Sequence, residues 1–271
     1  MRVVFLGKGG SGKSTLAGLL CAELASRSNR VTAINADTVP GLDQVLGMTP
    51  GDEWSLAGQA VRENGGWRLD GSPAEIVDRC AVEGPVGVRF LQAGNVDGGL
   101  KDYEMRREPN LGRWSGQVAF NTVSRVYDEE DGWTVVDLQG GTVQVAGGLV
   151  GTKGTALVVV EPFAKSVLTA RRFAEMGRWP SGIRLAGLAN KVGSGEDQAY
   201  VEEALDRLGV PLWVTVPKDA AIARAERERR PLVSLPANTP ARQAVAALAD
   251  RLSQESNDRR TVELTQQGRT R

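Results

Sequence analysis

Histidine is absent from the 271 residues of this chain. The commonest general base and the commonest metal ligand of proteins are therefore both missing. The two cysteines, Cys21 and Cys80, lie far apart and form neither a CxC nor a CxxC pair. The sequence therefore argues against a metal centre built by one chain. We expect Cys21 to be a core residue, because free cysteine is among the most buried residue types.

Net charge is also absent, since 33 lysines and arginines balance 33 aspartates and glutamates. Such a chain has no overall field that would attract nucleic acid or an anionic membrane. No apolar run approaches the length of a membrane span, and the N-terminal stretch has no signal-peptide pattern. We therefore expect a cytoplasmic protein that has no membrane partner, and the overall charge does not favour a nucleic-acid partner.

Short apolar, β-branched runs alternate with longer segments of helical periodicity along most of the chain. This alternation predicts an α/β fold, in which a mostly parallel sheet carries helices on both faces. The predicted strands span residues 3–6, 31–35, 88–92, 134–138, 156–161, 184–189 and 212–216. The predicted helices lie near residues 13–28, 115–127, 166–177, 196–208, 219–229 and 239–253.

Residues 1–252 are interpreted as one domain, followed by a tail. Within the domain, residues 47–115 are the least regular part and predict a surface specific to this protein. The stretch ENGGWRLDGSP in this part is typical of a turn or hairpin. The tail, residues 253–271, is polar with few apolar residues, so we expect it to be disordered.

A glycine-rich phosphate loop follows the first predicted strand and opens the first predicted helix. The stretch GKGGSGKS, residues 7–14, fits the pattern G-x-x-x-x-G-K-[ST] of a P-loop. Glycines allow consecutive backbone N–H groups to surround a phosphate, and the helix N-terminus adds its positive end. The sequence therefore predicts a single P-loop NTPase domain, with nucleotide held by Gly9, Gly10, Ser11, Gly12, Lys13, Ser14 and Thr15. Lys13 is expected on the β- and γ-phosphates and Thr15 on the α-phosphate, while Ser14 is expected to bind Mg²⁺.

A second lysine, Lys8, makes the stretch K-G-G-x-G-K-[ST], which resembles the deviant Walker A motif of the MinD/ParA/nitrogenase-iron-protein class of ATPases. The resemblance implies ATP and Mg²⁺ as cofactors, a homodimer that forms with ATP, and slow hydrolysis that a partner stimulates. It also implies that Lys8 reaches across the dimer to the partner's phosphates and acts in catalysis together with Lys13. The alternative is that Lys8 is a solvated loop lysine.

Two further segments resemble the switch regions of this class. In NADTVPGLDQVLGM, the resemblance gives Asp37 the role of orienting the attacking water. The family's first aspartate is Asn35 here, which raises the question of how fast the chain hydrolyses ATP. In WTVVDLQGGT, the resemblance makes Asp137 the Walker B residue that supports Mg²⁺. Gly141, rather than its neighbour Gly140, is then expected to present its N–H to the γ-phosphate.

The base is expected to lie against residues from two later segments. GLANKVG places Asn190 where the family contacts the adenine edge, and Gly193 replaces the aspartate that a GTPase would need. In VPKDAAIARAERERRPLV, Pro217 and Asp219 match the family segment that lies beside the base. These matches imply a preference for ATP.

Residues 152–176, together with NADTVPGLDQVLGM, most resemble the accessory ATPases of carbon monoxide dehydrogenase maturation, and the resemblance covers residues 1–50 and 133–235. Those proteins help to insert nickel through a CxC motif, but the corresponding stretch here, residues 90–110, contains no cysteine. Partition ATPases bind DNA through basic patches, whereas RAERERR (224–230) interleaves acids and is interpreted as a solvated helix face. Septum-site ATPases need an amphipathic C-terminal helix, and the tail does not fit that pattern.

The sequence thus predicts an ATP-dependent dimerisation switch that slowly hydrolyses ATP and assists or regulates an unidentified protein client, with residues 47–115 facing that client. A nucleotide-controlled binding module is the alternative, in which hydrolysis is negligible because of Asn35. A ParA-like positioning ATPase associated with DNA is the third possibility.

Overall fold

The computed structural model describes residues 1–37, 41–48, 55–56, 59, 61–63, 66–68, 70–93, 132–146, 148–176 and 179–269. Its strands are β1 Arg2–Gly7, β2 Val31–Asn35, β3 Val61–Glu63, β4 Gly66–Arg68, β5 Val82–Glu83, β6 Val88–Gln92, β7 Trp133–Asp137, β8 Lys153–Val160, β9 Gly182–Val192 and β10 Leu212–Pro217. Its helices are α1 Lys13–Ser26, α2 Leu42–Leu46, α3 Pro73–Cys80, α4 Val143–Ala146, α5 Ala164–Glu175, α6 Gly195–Arg207, α7 Ala220–Arg227 and α8 Pro240–Arg269. Single turns of 3₁₀ helix span Pro85–Gly87 and Leu232–Ser234.

The main sheet of the described residues has the strand order β10-β9-β8-β1-β7-β2-β6-β5. Its strands pair in parallel, except that β5 runs antiparallel to β6 at the edge. In a parallel sheet the carboxyl ends of the strands meet at one edge, where open α/β folds bind their ligands. The predicted α/β fold with a mostly parallel sheet is confirmed.

Helices cover both faces of this sheet, as predicted. Residues of β1 alternate between the two faces, with Val3 and Phe5 in one apolar cluster and Val4 and Leu6 in the other. The first cluster includes residues of α1 and α8, and the second includes residues of α3, α5 and α6. Because central parallel strands are buried on both faces, they read as continuous apolar runs in the sequence.

The predicted hairpin is present, while other local elements differ from the prediction. β3 pairs antiparallel with β4, at the start of the stretch ENGGWRLDGSP. Helix α3, which was not predicted from the sequence, begins with a capping box in which Ser72 and Glu75 exchange side-chain-to-backbone hydrogen bonds. The predicted helix at 115–127 lies outside the described residues.

The C-terminal region differs from the predicted disordered tail, because α8 continues as helix to Arg269. Its first half is fixed by apolar residues such as Val245, Leu248 and Leu252, which belong to the core. Once a helix has been nucleated, each added residue costs little, and glutamine, glutamate and arginine are good helix formers. Glu255, which follows the predicted end of the domain at residue 252, also forms an ion pair with Arg184.

Candidate functional site

The phosphate loop joins β1 to α1 at the centre of the sheet's carboxyl edge. The backbone N–H of Ser11 donates to the carbonyl of Lys8 at 3.1 Å, which closes a turn within the loop. Gly12, with φ of 96°, has the left-handed conformation that side chains disfavour, and α1 starts at the next residue. The Lys13 ammonium points back at the loop, where its Nζ lies 3.4 Å from the Lys8 carbonyl oxygen. The sequence-predicted loop is thus folded as a turn that leads directly into the N-terminus of α1.

A cavity of about 780 Å³ opens over this loop. Its volume falls in the range of pockets that hold small molecules and cofactors. Most of the predicted site residues line it together, namely Gly9, Gly10, Gly12, Lys13, Ser14, Thr15, Asp37, Asn190, Pro217 and Asp219. The structure also adds lining residues that the sequence did not single out: Lys191, Lys218, Ala220, Ile222, Ala223, Glu226 and Arg227.

Asp137 ends β7 beneath the loop and carries a buried carboxylate that is unsatisfied. Neither of its oxygens has a hydrogen-bond partner among the described residues. Burial raises its pKa to about 7, and the nearby charge of Asp37 also raises it, whereas the Ser14 hydroxyl and the Lys13 charge lower it. The Ser14 hydroxyl is therefore near Asp137, although it makes no hydrogen bond of standard geometry to either oxygen. A buried carboxylate beside a hydroxyl is an oxygen donor set that suits Mg²⁺.

The first switch segment is held by a chain of amide hydrogen bonds. Asn35 is fully buried at the end of β2, and its Nδ2 donates to Oε1 of Gln92 at 2.9 Å. Its Oδ1 accepts from the backbone N–H of Asp37 at 3.2 Å. Asn35 therefore orients the backbone of the residue that was predicted to position water. Gln92 was not identified from the sequence, although its place at the end of a predicted strand is the signal that marked the other site residues.

The second switch segment is docked on the phosphate loop. Gly140 lies so close that a Cβ added there would be 2.7 Å from the backbone nitrogen of Gly9. The N–H of Gly141 donates to the Gly7 carbonyl at 3.2 Å. The amide that was assigned to the γ-phosphate is thus committed to β1 in this structure. Gly140 is the glycine whose missing side chain permits the close approach.

Asn190 and Asp219 were both predicted to lie beside the nucleotide base. In this structure their side chains form hydrogen bonds with the protein's own backbone. Asn190 donates from Nδ2 to the Ser11 carbonyl at 2.7 Å. Asp219 caps two helices, because its carboxylate accepts from the N–H of Ala221 at 2.8 Å and from the N–H of Ala241 at 3.1 Å. Both residues line the cavity, but the amide nitrogen of Asn190 and both carboxylate oxygens of Asp219 already have protein partners.

Lys8 does not line the cavity of its own chain. Its exposed ammonium donates to the neighbouring Gly9 carbonyl at 3.0 Å. Lys191, by contrast, reaches the loop from the end of β9, where its Nζ lies 2.6 Å from the Gly10 carbonyl and 3.0 Å from Glu161. The signal for Lys191 was its position next to Asn190, and the signal for Glu161 was its position at the end of a predicted strand.

The remaining candidates contribute no second site. Cys21 and Cys80 are both buried, and Cys21 belongs to the core as predicted. Within the described ranges, no group of three or more metal-ligating side chains is placed to hold a metal ion.

In the cluster RAERERR, Arg230 pairs with Glu228 at 2.7 Å. A search of the described helices for one that is long and apolar enough to span a membrane found none.

Known sequences similar to this chain include an accessory protein of carbon monoxide dehydrogenase and an uncharacterized ATP-binding protein. The carbon monoxide dehydrogenase accessory protein CooC of Rhodospirillum rubrum is 26% identical over 244 residues, which cover 84% of this chain and 87% of CooC. An uncharacterized ATP-binding protein of Methanocaldococcus jannaschii is 24% identical over 247 residues, which cover 91% of this chain and 84% of that protein.

Solved structures share the fold over nearly the whole chain. The cell division ATPase MinD of Pyrococcus furiosus has a TM-score of 0.66 at 20% identity, with 93% of this chain and 98% of MinD covered. The septum site-determining protein MinD of Pyrococcus horikoshii, complexed with Mg-ADP, has a TM-score of 0.67 at 19% identity, with 94% and 96% covered. The model of the CobQ/CobB/MinD/ParA nucleotide binding domain family, CbiA, matches residues 3–232. The chain therefore belongs to the CobQ/CobB/MinD/ParA nucleotide-binding domain family.

Proposed function

We propose that this protein is an ATPase that binds ATP with Mg²⁺, dimerises in the ATP state and thereby regulates or assists a protein client. The observation that carries the proposal is the buried, unsatisfied carboxylate of Asp137 beneath the phosphate loop, beside Ser14 and Lys13. An uncompensated buried carboxylate is costly in a fold that does not use it. A magnesium–nucleotide complex is a ligand that would offset this cost.

Nucleotide binding rests on the loop and on the walls of the cavity. The backbone of Gly9, Gly10 and Gly12 and the ammonium of Lys13 would hold the phosphates. Thr15 and Ser14, in the first turn of α1, also line the cavity. Pro217 and the apolar side chains of Ile222 and Ala223 line its other end, where they would pack against the base.

Hydrolysis would use two residues that are not needed for binding. Asp37 lines the cavity and is near enough to Asp137 to raise the pKa of that carboxyl, so it lies where an attacking water could be oriented. Lys8 would act on the phosphates of a partner, because its ammonium is exposed and does not line its own cavity. Ser14 and Asp137 would hold Mg²⁺, which when bound neutralises developing charge on the phosphates.

Regulation of a protein client is supported by two proteins to which this chain is similar. CooC is an accessory protein of carbon monoxide dehydrogenase, and one solved MinD structure of Aquifex aeolicus is a MinC:MinD complex. The chain has no histidine and no CxC pair, so a nickel site like that of the maturation ATPases is not proposed. Residues 47–115 are proposed to face the client, and the cytoplasm is the proposed location, where ATP is available.

A second candidate is a nucleotide-controlled binding module with negligible hydrolysis. The observation that favours it is that the Asn35 amide is buried and committed to Gln92, so it offers neither a base nor a magnesium-binding carboxylate. Nucleotide would then act only by stabilising one conformation of the switch segments. The two candidates share one site and differ in whether ATP turns over.

One experiment tests dimerisation, turnover and the role of Lys8 together. Solution mass would be measured without nucleotide, with ADP and with ATP, on the wild type and on Lys8→Ala, and phosphate release would be followed in the ATP samples. The proposal expects an ATP-specific dimer with slow phosphate release, both lost in Lys8→Ala. An ATP-specific dimer without phosphate release would support the second candidate. A monomer under every condition would refute both the dimer and the role of Lys8.

A further inference from the structure

We infer that Lys191, held by Glu161, is a positioning residue that keeps the phosphate loop in its anion-binding shape before any nucleotide binds. This inference rests on the proposed nucleotide-binding function and assigns a role to two residues outside the phosphate loop. Neither residue was a predicted site residue. Both lie at the carboxyl ends of strands β8 and β9, which are neighbours in the sheet.

Two consecutive residues of one strand bind two consecutive carbonyls of the loop. Asn190 donates to the Ser11 carbonyl at 2.7 Å, and Lys191 donates to the Gly10 carbonyl at 2.6 Å. A peptide unit is planar, so the direction of its carbonyl also sets the direction of the following N–H. The contact at Gly10 therefore fixes the Ser11 N–H, which closes the turn onto Lys8, and the contact at Ser11 fixes the N–H of Gly12.

The phosphate loop is ordered before nucleotide binds, so binding does not have to include the loss of the loop's backbone freedom. Four glycines occur within residues 7–12, and glycine loses more backbone freedom on ordering than any other residue. A loop that was disordered without ligand would have to lose this freedom when the phosphate arrived, which would weaken binding. The two contacts from β9 remove that penalty. They act equally on every ligand that has the same phosphate chain.

Lys191 is itself held in place by its surroundings. Its backbone is in the left-handed region, with φ of 58°, which is unfavourable for a residue with a long side chain. Its ammonium pairs with Glu161 at 3.0 Å, and the Glu161 side chain is only 9% exposed while that of Lys191 is 46% exposed. The backbone N–H of Glu161 in turn donates to the Ser166 hydroxyl at 3.0 Å. The ammonium is therefore directed by a buried carboxylate that is fixed at the end of β8.

The test compares nucleotide affinity with stability in the wild type and five variants. Binding of Mg-ADP is measured by calorimetry, and unfolding without nucleotide is measured by urea titration, for wild type, Lys191→Met, Glu161→Gln and the double variant. Lys165→Met is the matched control, because Lys165 is an exposed lysine in the first turn of α5, which follows β8. Lys191→Arg tests for rescue by a longer donor.

The inference expects Lys191→Met to lower affinity for ADP about tenfold, as for the loss of a charge-assisted hydrogen bond. Lys191→Met also leaves Glu161 buried without its partner, so stability falls, and the double variant recovers that stability. Affinity stays low in the double variant, because nothing then holds the Gly10 carbonyl. Lys191→Arg is expected to regain part of the affinity, and Lys165→Met to bind within about twofold of wild type.

Three results would overturn the inference. One is wild-type affinity in Lys191→Met, and another is affinity that returns together with stability in the double variant, which would mean a purely structural ion pair. A loss of affinity in Lys165→Met equal to that in Lys191→Met would also overturn it, since general charge would then suffice. Absence of ADP binding by the wild type would instead refute the proposed function.

Discussion

Asn35 and Gln92 form a buried side-chain hydrogen bond, 2.9 Å long, that joins the ends of β2 and β6. Asn35 is also the register partner of Asp137 on the adjacent strand β7. A carboxylate at position 35 would therefore lie buried beside a second carboxylate that has no hydrogen-bond partner in the described structure. The neutral amide avoids a concentration of negative charge under the phosphate loop.

Restoring the family's acid with Asn35→Asp is expected to destabilise the nucleotide-free protein at pH 7. The loss should be about 1–3 kcal/mol, because a charge is buried beside Asp137. The difference should shrink near pH 4, where the new carboxyl becomes protonated. Urea unfolding at the two pH values measures this, and equal stability at pH 7 would contradict the charge explanation.

The same substitution tests the two candidate functions. If the chain is a slow ATPase, phosphate release should change less than about threefold in Asn35→Asp, since Asp37 rather than residue 35 would orient the water. Asp37→Asn serves as the matched variant and should abolish most of the release. A large rate gain in Asn35→Asp would favour the binding module with suppressed hydrolysis.

Asp43 of α2 gives the protein a pH-dependent stability that can be measured. It is buried, one of its oxygens has no hydrogen-bond partner among the residues that the structure describes, and burial raises its pKa. The folded state therefore holds the proton more tightly than the unfolded state, so stability falls as pH rises from the unfolded value near 4 through the raised pKa. Asp43→Asn should flatten this decline and match or exceed wild-type stability at pH 7. A steeper decline in the variant would contradict the sign.

Gly140 is expected to be the least replaceable glycine of the second switch. In Gly140→Ala the new methyl would meet backbone atoms of Gly9, at 2.7 and 2.9 Å, which cannot move aside as a side chain would. Overpacking of this kind should cost about 1–3 kcal/mol of stability. Gly9→Ala is the matched control for stability, since its methyl would meet no atom within 4 Å. Equal stability of the two variants by urea titration would contradict the docking of the segment on the loop.

Discrimination between ATP and GTP is expected to be weak. The amide donor of Asn190 is bonded to Ser11, and the Asp219 carboxylate accepts from the backbone of α7 and α8. Pro217, Ile222 and Ala223, which are proposed to pack against the base, form apolar walls that distinguish purines poorly. Competition titrations should give Kd values for the two nucleotides within about tenfold. A preference above about a hundredfold would require a polar base contact that these side chains do not offer in this structure.

The sequence predicted most of the strands and motifs that depend on a pattern of neighbouring residues. Strand periodicity placed β1 and β7, and the P-loop pattern placed Lys13, because both signals lie within a few consecutive residues. The contacts of Glu161 with Lys191 and of Asn35 with Gln92 could not be predicted in this way. They depend on which strands are neighbours in the sheet, and strand order is decided by packing over the whole chain.

Helix α3 and the end of α8 were missed for a different reason. The capping box at Ser72 was a local signal that can be recognised from spacing alone. The last turns of α8, however, contain few apolar residues, and they are helical because the preceding turns are already fixed on the core. The sequence pattern of the tail by itself does not include the preceding turns of α8, which pack on the core and stabilise the helix.

The two edges of the sheet also bear on how copies of the chain meet. Edge β5 is only two residues long and includes Glu83, while the other edge, β10, ends in a proline and packs against α8. Arg184 and Arg251 also stack on the ring of Trp213 in β10, at 5.4 and 4.9 Å. Short, charged and covered edges resist strand-to-strand aggregation. Association through the edge strands is therefore disfavoured in the described structure, so the proposed ATP-dependent dimer would use surfaces away from those strands.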